Sequence, residues 1–150
     1  MPSLETRHFG VIAYQAEELI EFPGGLPGFE QQRSFVAIEQ PETRPLVFLQ
    51  SVAEPALCFL ALPVLAIDPD YRLSIPSEDL GILGLPGERQ PAIGAEVLCL
   101  AIVSVTEGRS PTANLLAPIV VNLESRRAVQ AIQTESGYSH QTPLIEETPC

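Results

Sequence analysis

The chain has 150 residues, 45% of them hydrophobic, with 15 prolines, 10 glycines and 19 acidic residues against 8 basic ones. A single-domain length with a mean hydropathy of +0.18 excludes a chain disordered throughout, and the density of proline and glycine excludes a helical bundle. A formal charge of −11 excludes a face built for direct nucleic-acid binding and disfavours an anionic membrane surface, while it suits solubility or a basic protein partner.

Taken in chain order, the apolar runs are short and repeatedly punctuated. Arg7 to Tyr14 reads as a first strand carrying Phe9, Val11 and Ile12, and Glu17 to Phe22 as a second with an acidic outer face. Pro23-Gly24-Gly25-Leu26-Pro27-Gly28 follows, where two prolines fix φ and three glycines permit left-handed angles, so a tight double turn is expected. Phe22 and Phe29 flank it as two pins, and a single turn of helix is expected over Glu30 to Arg33. Ser34–Glu39 and Leu46–Ser51 read as strands around a loop from Gln40 to Pro45, and Leu57–Leu62 as the next strand. Pro63 to Pro69 reads as an irregular apolar crossing and Asp70 to Ile75 as a short alternating strand.

Ser77 is expected to cap a short helix, with Glu78 and Asp79 in its first turn and Gly81 and Gly84 close behind. Ala95 to Thr106 is the longest strand, expected at the centre of the sheet. The run Thr112 to Asn122 is the segment around which the rest is organised: Leu115, Leu116, Ile119, Val120 and Val121 are strand-like, while Pro118 forbids a helix through the middle. It reads as strand, kink, strand. Arg126 to Gln133 is composed equally well for helix or strand. One domain is expected over residues 1–138, with 139–150 a flexible tail.

Motifs for chemistry are missing. Gly24-Gly25-Leu26-Pro27-Gly28 has no following lysine, so it is a turn rather than a phosphate loop. His8 and His140 lie near opposite ends, without a Cys, Asp or Glu at ligand spacing. Cys58 and Cys99 sit in apolar runs and Cys150 is the last residue, an odd set that matches neither a disulfide framework nor a zinc site. Neighbouring carboxylates such as Glu17-Glu18 point apart on a strand and suit solvation. No catalytic residue, metal or cofactor is expected. Without a signal peptide at the start of the chain, or an apolar run near the roughly 20 residues that span a bilayer, a cytoplasmic protein is expected. Polar residues beside apolar strands remain, namely Gln50, Ser51, Asp70, Tyr71, Asn114 and Asn122. They tie down turns and strand ends, or they rim a patch for a protein partner anchored by Tyr71 and Phe29. A barrel that binds a small ligand or hydrolyses one is the alternative, and it requires a deep pocket with converging polar groups.

Four stretches carry a resemblance: Phe22-Pro23-Gly24-Gly25-Leu26-Pro27-Gly28-Phe29-Glu30, Leu49-Gln50-Ser51, Pro69-Asp70-Tyr71, and Asn114-Leu115-Leu116-Ala117-Pro118-Ile119-Val120-Val121-Asn122. With Phe9-Gly10 ahead and Ser136-Gly137-Tyr138 behind, their order and spacing resemble the FliW family of flagellar assembly factors over roughly residues 6 to 145. The resemblance implies a small antiparallel β-barrel-like domain, all-β with one or two short helices, and a strand at Arg126 to Gln133. It implies no catalysis. Its implied partners are flagellin and the carbon storage regulator CsrA, a basic RNA-binding protein whose repression of flagellin translation it relieves. Phe29, Gln50, Asp70, Tyr71 and Asn114 are then the partner-contact candidates, while Pro23, Gly24, Gly25, Pro27, Gly28, Pro118 and Asn122 hold the fold. The chain departs from the family's usual arginine-histidine-proline-leucine ending, with Ser139-His140-Gln141-Thr142-Pro143-Leu144 in its place.

Overall fold

A computed structural model describes residues 2–133 and 137–144; Met1, Ser136 and Cys150, and half of the expected tail (145–150), lie outside the described residues. The N-terminus forms a hairpin of β1 (Ser3–Thr6) and β2 (Gly10–Ala13) instead of one strand over Arg7 to Tyr14. Thr6 explains the difference. Its hydroxyl accepts from the Phe9 amide at 2.8 Å and donates to the Gly10 carbonyl at 2.8 Å, folding Arg7 to Phe9 into the turn.

The main sheet contains β3 (Leu19–Glu21), β4 (Ser34–Glu39), β5 (Val47–Ser51), β6 (Cys58–Pro63), β7 (Val97–Ser104), β8 (Thr112–Ala113), β9 (Ile119–Asn122), β10 (Ala128–Gln130) and β11 (Thr142–Pro143). Its strand order is β10-β9-β7-β6-β5-β4-β3, with β8 pairing both β7 and β11, and every pairing between these strands is antiparallel. The path curls until its two ends touch. Glu21 donates its amide to the Arg126 carbonyl at 2.9 Å, and the Arg126 guanidinium reaches the Glu18 carbonyl at 3.3 Å. One bridge is not a strand ladder, so the fold is barrel-like without full closure.

The longest strand, β7, explains why its sequence shows no polar alternation. Val97, Cys99, Ala101 and Val103 enter one core with Leu80, Leu83, Leu115 and Val120, while Leu98, Leu100 and Ile102 enter a second with Phe22, Phe35, Leu49, Ile119 and Val121. A strand buried on both faces has no solvent side to mark with polar residues. The kink read at Pro118 is also present, since β8 ends at Ala113 and β9 starts at Ile119. Arg126 to Gln133 contains β10, the strand implied by the resemblance.

Other expectations are corrected. Pro63 to Pro69 contains a four-residue helix, α1 (Val64–Ile67), and Glu30 to Arg33 stays a turn. Asp70 to Ile75 is not a strand, because side chains take the place of a neighbouring strand: the amides of Arg72, Ser74 and Ile75 donate to the Tyr138 hydroxyl, Gln133 Oε1 and Gln90 Oε1. The short helix α2 (Ser77–Leu83) forms, but Pro76 occupies its cap position and Ser77 is already inside. It ends at Gly84, whose φ of +75° only glycine adopts cheaply. Asn122 ties this helix to the sheet, donating from Nδ2 to the Leu83 carbonyl at 2.8 Å and accepting from the Glu124 amide at 3.0 Å.

Ahead of β7 the chain is clipped by Arg89, whose guanidinium makes bonds of 2.7 and 2.8 Å to the two oxygens of Glu96. That bidentate pair, with a further bond from the Ala92 amide, lowers the Glu96 carboxyl from 4.5 to about 2. A folded-state value below the unfolded one stabilises above pH 4.5, and the effect is lost as pH falls towards 2. Glu96→Gln should therefore lower the melting temperature at neutral pH. In paired melts across an acid series, the gap to the parent should close between pH 4.5 and about 2.

Candidate protein-docking site

The site grows from the glycine-rich turn. Gly25 adopts a φ of +70°, and a Cβ there would lie 2.5 Å from the Glu30 carbonyl oxygen, so both angle and space demand glycine. The turn closes through Gly25 N–H to the Phe22 carbonyl at 2.9 Å and Phe29 N–H to the Leu26 carbonyl at 2.7 Å. Its two buried pins are Phe22 and Leu26, not Phe22 and Phe29. Phe29 is instead lifted to the surface, 42% exposed, with its ring edge-on to Phe59 at 5.4 Å. Behind it the aromatic row continues from Phe59 to Phe35 at 5.9 Å and from Phe35 to Phe22 at 5.4 Å.

Phe29 forms one wall of an open groove of about 270 Å³. Leu26, Pro27, Phe59 and Ile102 complete its apolar surface, and Ser104, Asn114, Gln130, His140 and Gln141 supply a polar rim. Among the described residues no Asp, Glu, Lys or Arg lines it, an uncharged strip on a chain of formal charge −11. Asn114 is held in place by its own backbone, its amide donating to the Ile102 carbonyl and its Oδ1 accepting from Ala117 at 2.9 Å. Gln130 is likewise fixed, donating to the Ala117 carbonyl at 3.0 Å. An aromatic surface with neutral amides around it suits a protein segment more than a reacting small molecule.

Of the five partner-contact candidates, the structure brings Phe29 and Asn114 into this groove. Asp70 is exposed elsewhere, its amide held by Asp68 Oδ1 at 2.9 Å. Gln50 is fully buried; its Nε2 donates to the carbonyls of Ser51, Glu54 and Pro55 and fixes the bend after β5. Tyr71 is 5% exposed, its hydroxyl donating to the Leu115 carbonyl at 2.6 Å and its ring stacked on Tyr138 at 4.3 Å. Burial raises its phenol above the usual range, with Cys99, Tyr138 and Asp68 adding to the effect. Gln50 and Tyr71 therefore present no side-chain surface to a partner in this arrangement. Sequence reading missed Phe59, Ile102 and Gln130, which look like ordinary strand residues until the sheet curls. It also missed His140 and Gln141, assigned there to a tail.

The segment 137–144 in fact runs along β8. Thr142 and Pro143 pair with Ala113 and Thr112, Leu115 donates to the Ser139 carbonyl at 3.0 Å, and Leu144 donates to the Pro111 carbonyl at 3.1 Å. Elsewhere, burial pushes the Cys99 thiol up to about 12, which leaves it protonated and unreactive. Among the described residues no group of three His, Cys, Asp or Glu is placed to hold a metal, and no helix is long and apolar enough to cross a membrane.

Comparison with known proteins gives this groove its context. The FliW protein family matches residues 3–144. The chain belongs to the FliW family. Flagellar assembly factor FliW of Syntrophomonas wolfei is 36% identical over 140 residues, covering 93% of this chain and 86% of that one. Flagellar assembly factor FliW of Caldanaerobacter subterraneus is 34% identical over 146 residues, covering 96% and 93%. A crystal structure of the flagellar assembly factor FliW superposes with a TM-score of 0.83 at 30% identity, covering 97% of this chain and 98% of that one. The FliW fold thus accounts for the described chain from hairpin to β11.

Two substitutions separate scaffold from surface in this FliW family member. Gly25→Ala should destabilise by at least about 1 kcal/mol in urea titration, because it adds a left-handed penalty and a backbone clash, whereas Gly24→Ala, with open space at its Cβ, should be near neutral. Tyr71→Phe should cost about 1–3 kcal/mol by orphaning the Leu115 carbonyl, while Phe29→Ala should leave the urea midpoint much closer to the parent's.

Proposed function

We propose that this protein acts in the cytoplasm as a non-catalytic flagellar assembly factor that binds newly made flagellin and, when free of it, captures the translational regulator CsrA. The family match over residues 3–144 carries this reading. The uncharged groove at Phe29 and Asn114 supports it, as a surface suited to burying a protein segment. The distribution of charge supports the second half. A chain of net charge −11 attracts a basic RNA-binding protein and, once docked, raises the electrostatic cost of bringing phosphates near it. Phe29, Asn114 and the exposed Asp70 are the contact residues assigned to partners.

Titrating purified flagellin and purified CsrA against the protein at low and high salt tests the reading directly. CsrA affinity should fall at least several-fold between 50 and about 500 mM salt, since the Debye length at 0.1 M is only about 10 Å. Flagellin affinity should depend less on salt and should weaken with Phe29→Ala. Absence of binding to both partners at low salt would overturn the assignment.

A further inference from the structure

The strip 137–144 is held in an unusual way. Its ladder to β8 is two residues long, and one of the two is Pro143, which has no amide proton to give. Gly137, Ser139, His140, Gln141 and Pro143 are exposed, so beyond this short ladder and the main-chain bonds at Leu115 and Leu144 the apolar attachment is made by Tyr138 against Tyr71 and Leu144 against the same core. The strand beneath does not depend on the strip. β8 is paired on its other edge to Val103 and Ser104, and the Asn114 amide bonds to the Ile102 carbonyl. If the strip lifts, the two-residue ladder to Ala113 and Thr112 is lost, and the Pro111 carbonyl, the Leu115 amide and the Arg72 amide lose their partners as well. The apolar faces of Tyr71 and Leu115 are uncovered at the same moment. They adjoin Asn114 on the polar rim of the docking groove, a rim to which the strip itself contributes His140 and Gln141.

We infer that residues 137–144 are a removable strap, an internal occupant of an edge that a partner's extended segment takes by strand addition. The free β8 edge supplies the main-chain bonds, and the slots vacated by Tyr138 and Leu144 take two apolar side chains of the incoming segment. Tyr71, buried in the closed form, becomes a contact only in the open one. The inference rests on the reading that this chain works by holding other proteins, and it adds where and how one of them is held.

Amide exchange on the protein alone is the first test. The strap-dependent amides of Leu115 and Leu144 should exchange at least a hundredfold faster than those inside β7, through an opening smaller than global unfolding. Equal protection would overturn the strap. The second test locks it with Ala113→Cys and Thr142→Cys, a directly paired couple, in a Cys150→Ser background. The oxidised protein should bind flagellin at least tenfold more weakly than the same protein reduced, and unchanged binding would overturn the inference. Should the reduced protein bind neither flagellin nor CsrA, the proposed function fails. The strap is then judged by exchange and by a synthetic peptide of residues 137–144, which the reduced form should accept and the oxidised form refuse. A concentration-dependent dimer that disappears on oxidation would make a second copy the occupant and overturn the assignment to a partner.

Discussion

Strand β7 is apolar on both faces, and the rest of the molecule is arranged to keep both of those faces dry. Its odd-numbered residues from Val97 to Val103 require a cover of α2, Tyr71 and Leu115, and its even-numbered ones require the curled sheet to close over Leu100 and Ile102. Two cores back to back through one strand explain why a chain of short, proline-broken elements holds together. No single strand pair is long, yet each is pressed against one core or the other. The same demand accounts for Asn122, whose side chain fastens α2 to the end of β9 where the two cores meet.

Around this frame charge and hydrophobicity are kept apart. Every described acidic residue is exposed or half-buried, while among the described residues the groove beside Phe29 is lined without a formally charged side chain. Such a division lets one small protein recognise partners by different physics. Long-range attraction acts on a basic protein, and short-range burial acts on an apolar segment. The aromatic row from Phe29 through Phe59 and Phe35 to Phe22 joins that groove to the barrel interior, so the surface ring stands on rigid support.

Much of this was legible in the sequence. The strands from Ser34 to Leu62, the central run before Thr106 and the proline kink at 118 follow from residue type alone, because each depends on local chemistry: β-branched runs, glycine angles, a missing amide. Arg126 to Gln133 did not, since three residues of strand leave no periodicity to read, and family resemblance decided it. The failures share a different cause. Asp70 to Ile75 looks like a strand but is satisfied by the side chains of Tyr138, Gln133 and Gln90, which are far away in sequence. Gln50 and Tyr71 look like surface recognition residues but are buried in this arrangement and bond to backbone carbonyls, because polar side chains beside strands answer to buried carbonyls as readily as to partners. Only Phe29 and Asn114 were placed together by folding, through a curl of the sheet that no local pattern encodes.

The stacking of Tyr71 on Tyr138 has one practical corollary. The chain has no tryptophan and three tyrosines, so two of its three strongest near-ultraviolet chromophores sit face to face at a single point. The protein's own absorption and emission are in effect a gauge mounted on that junction, readable without any attached dye.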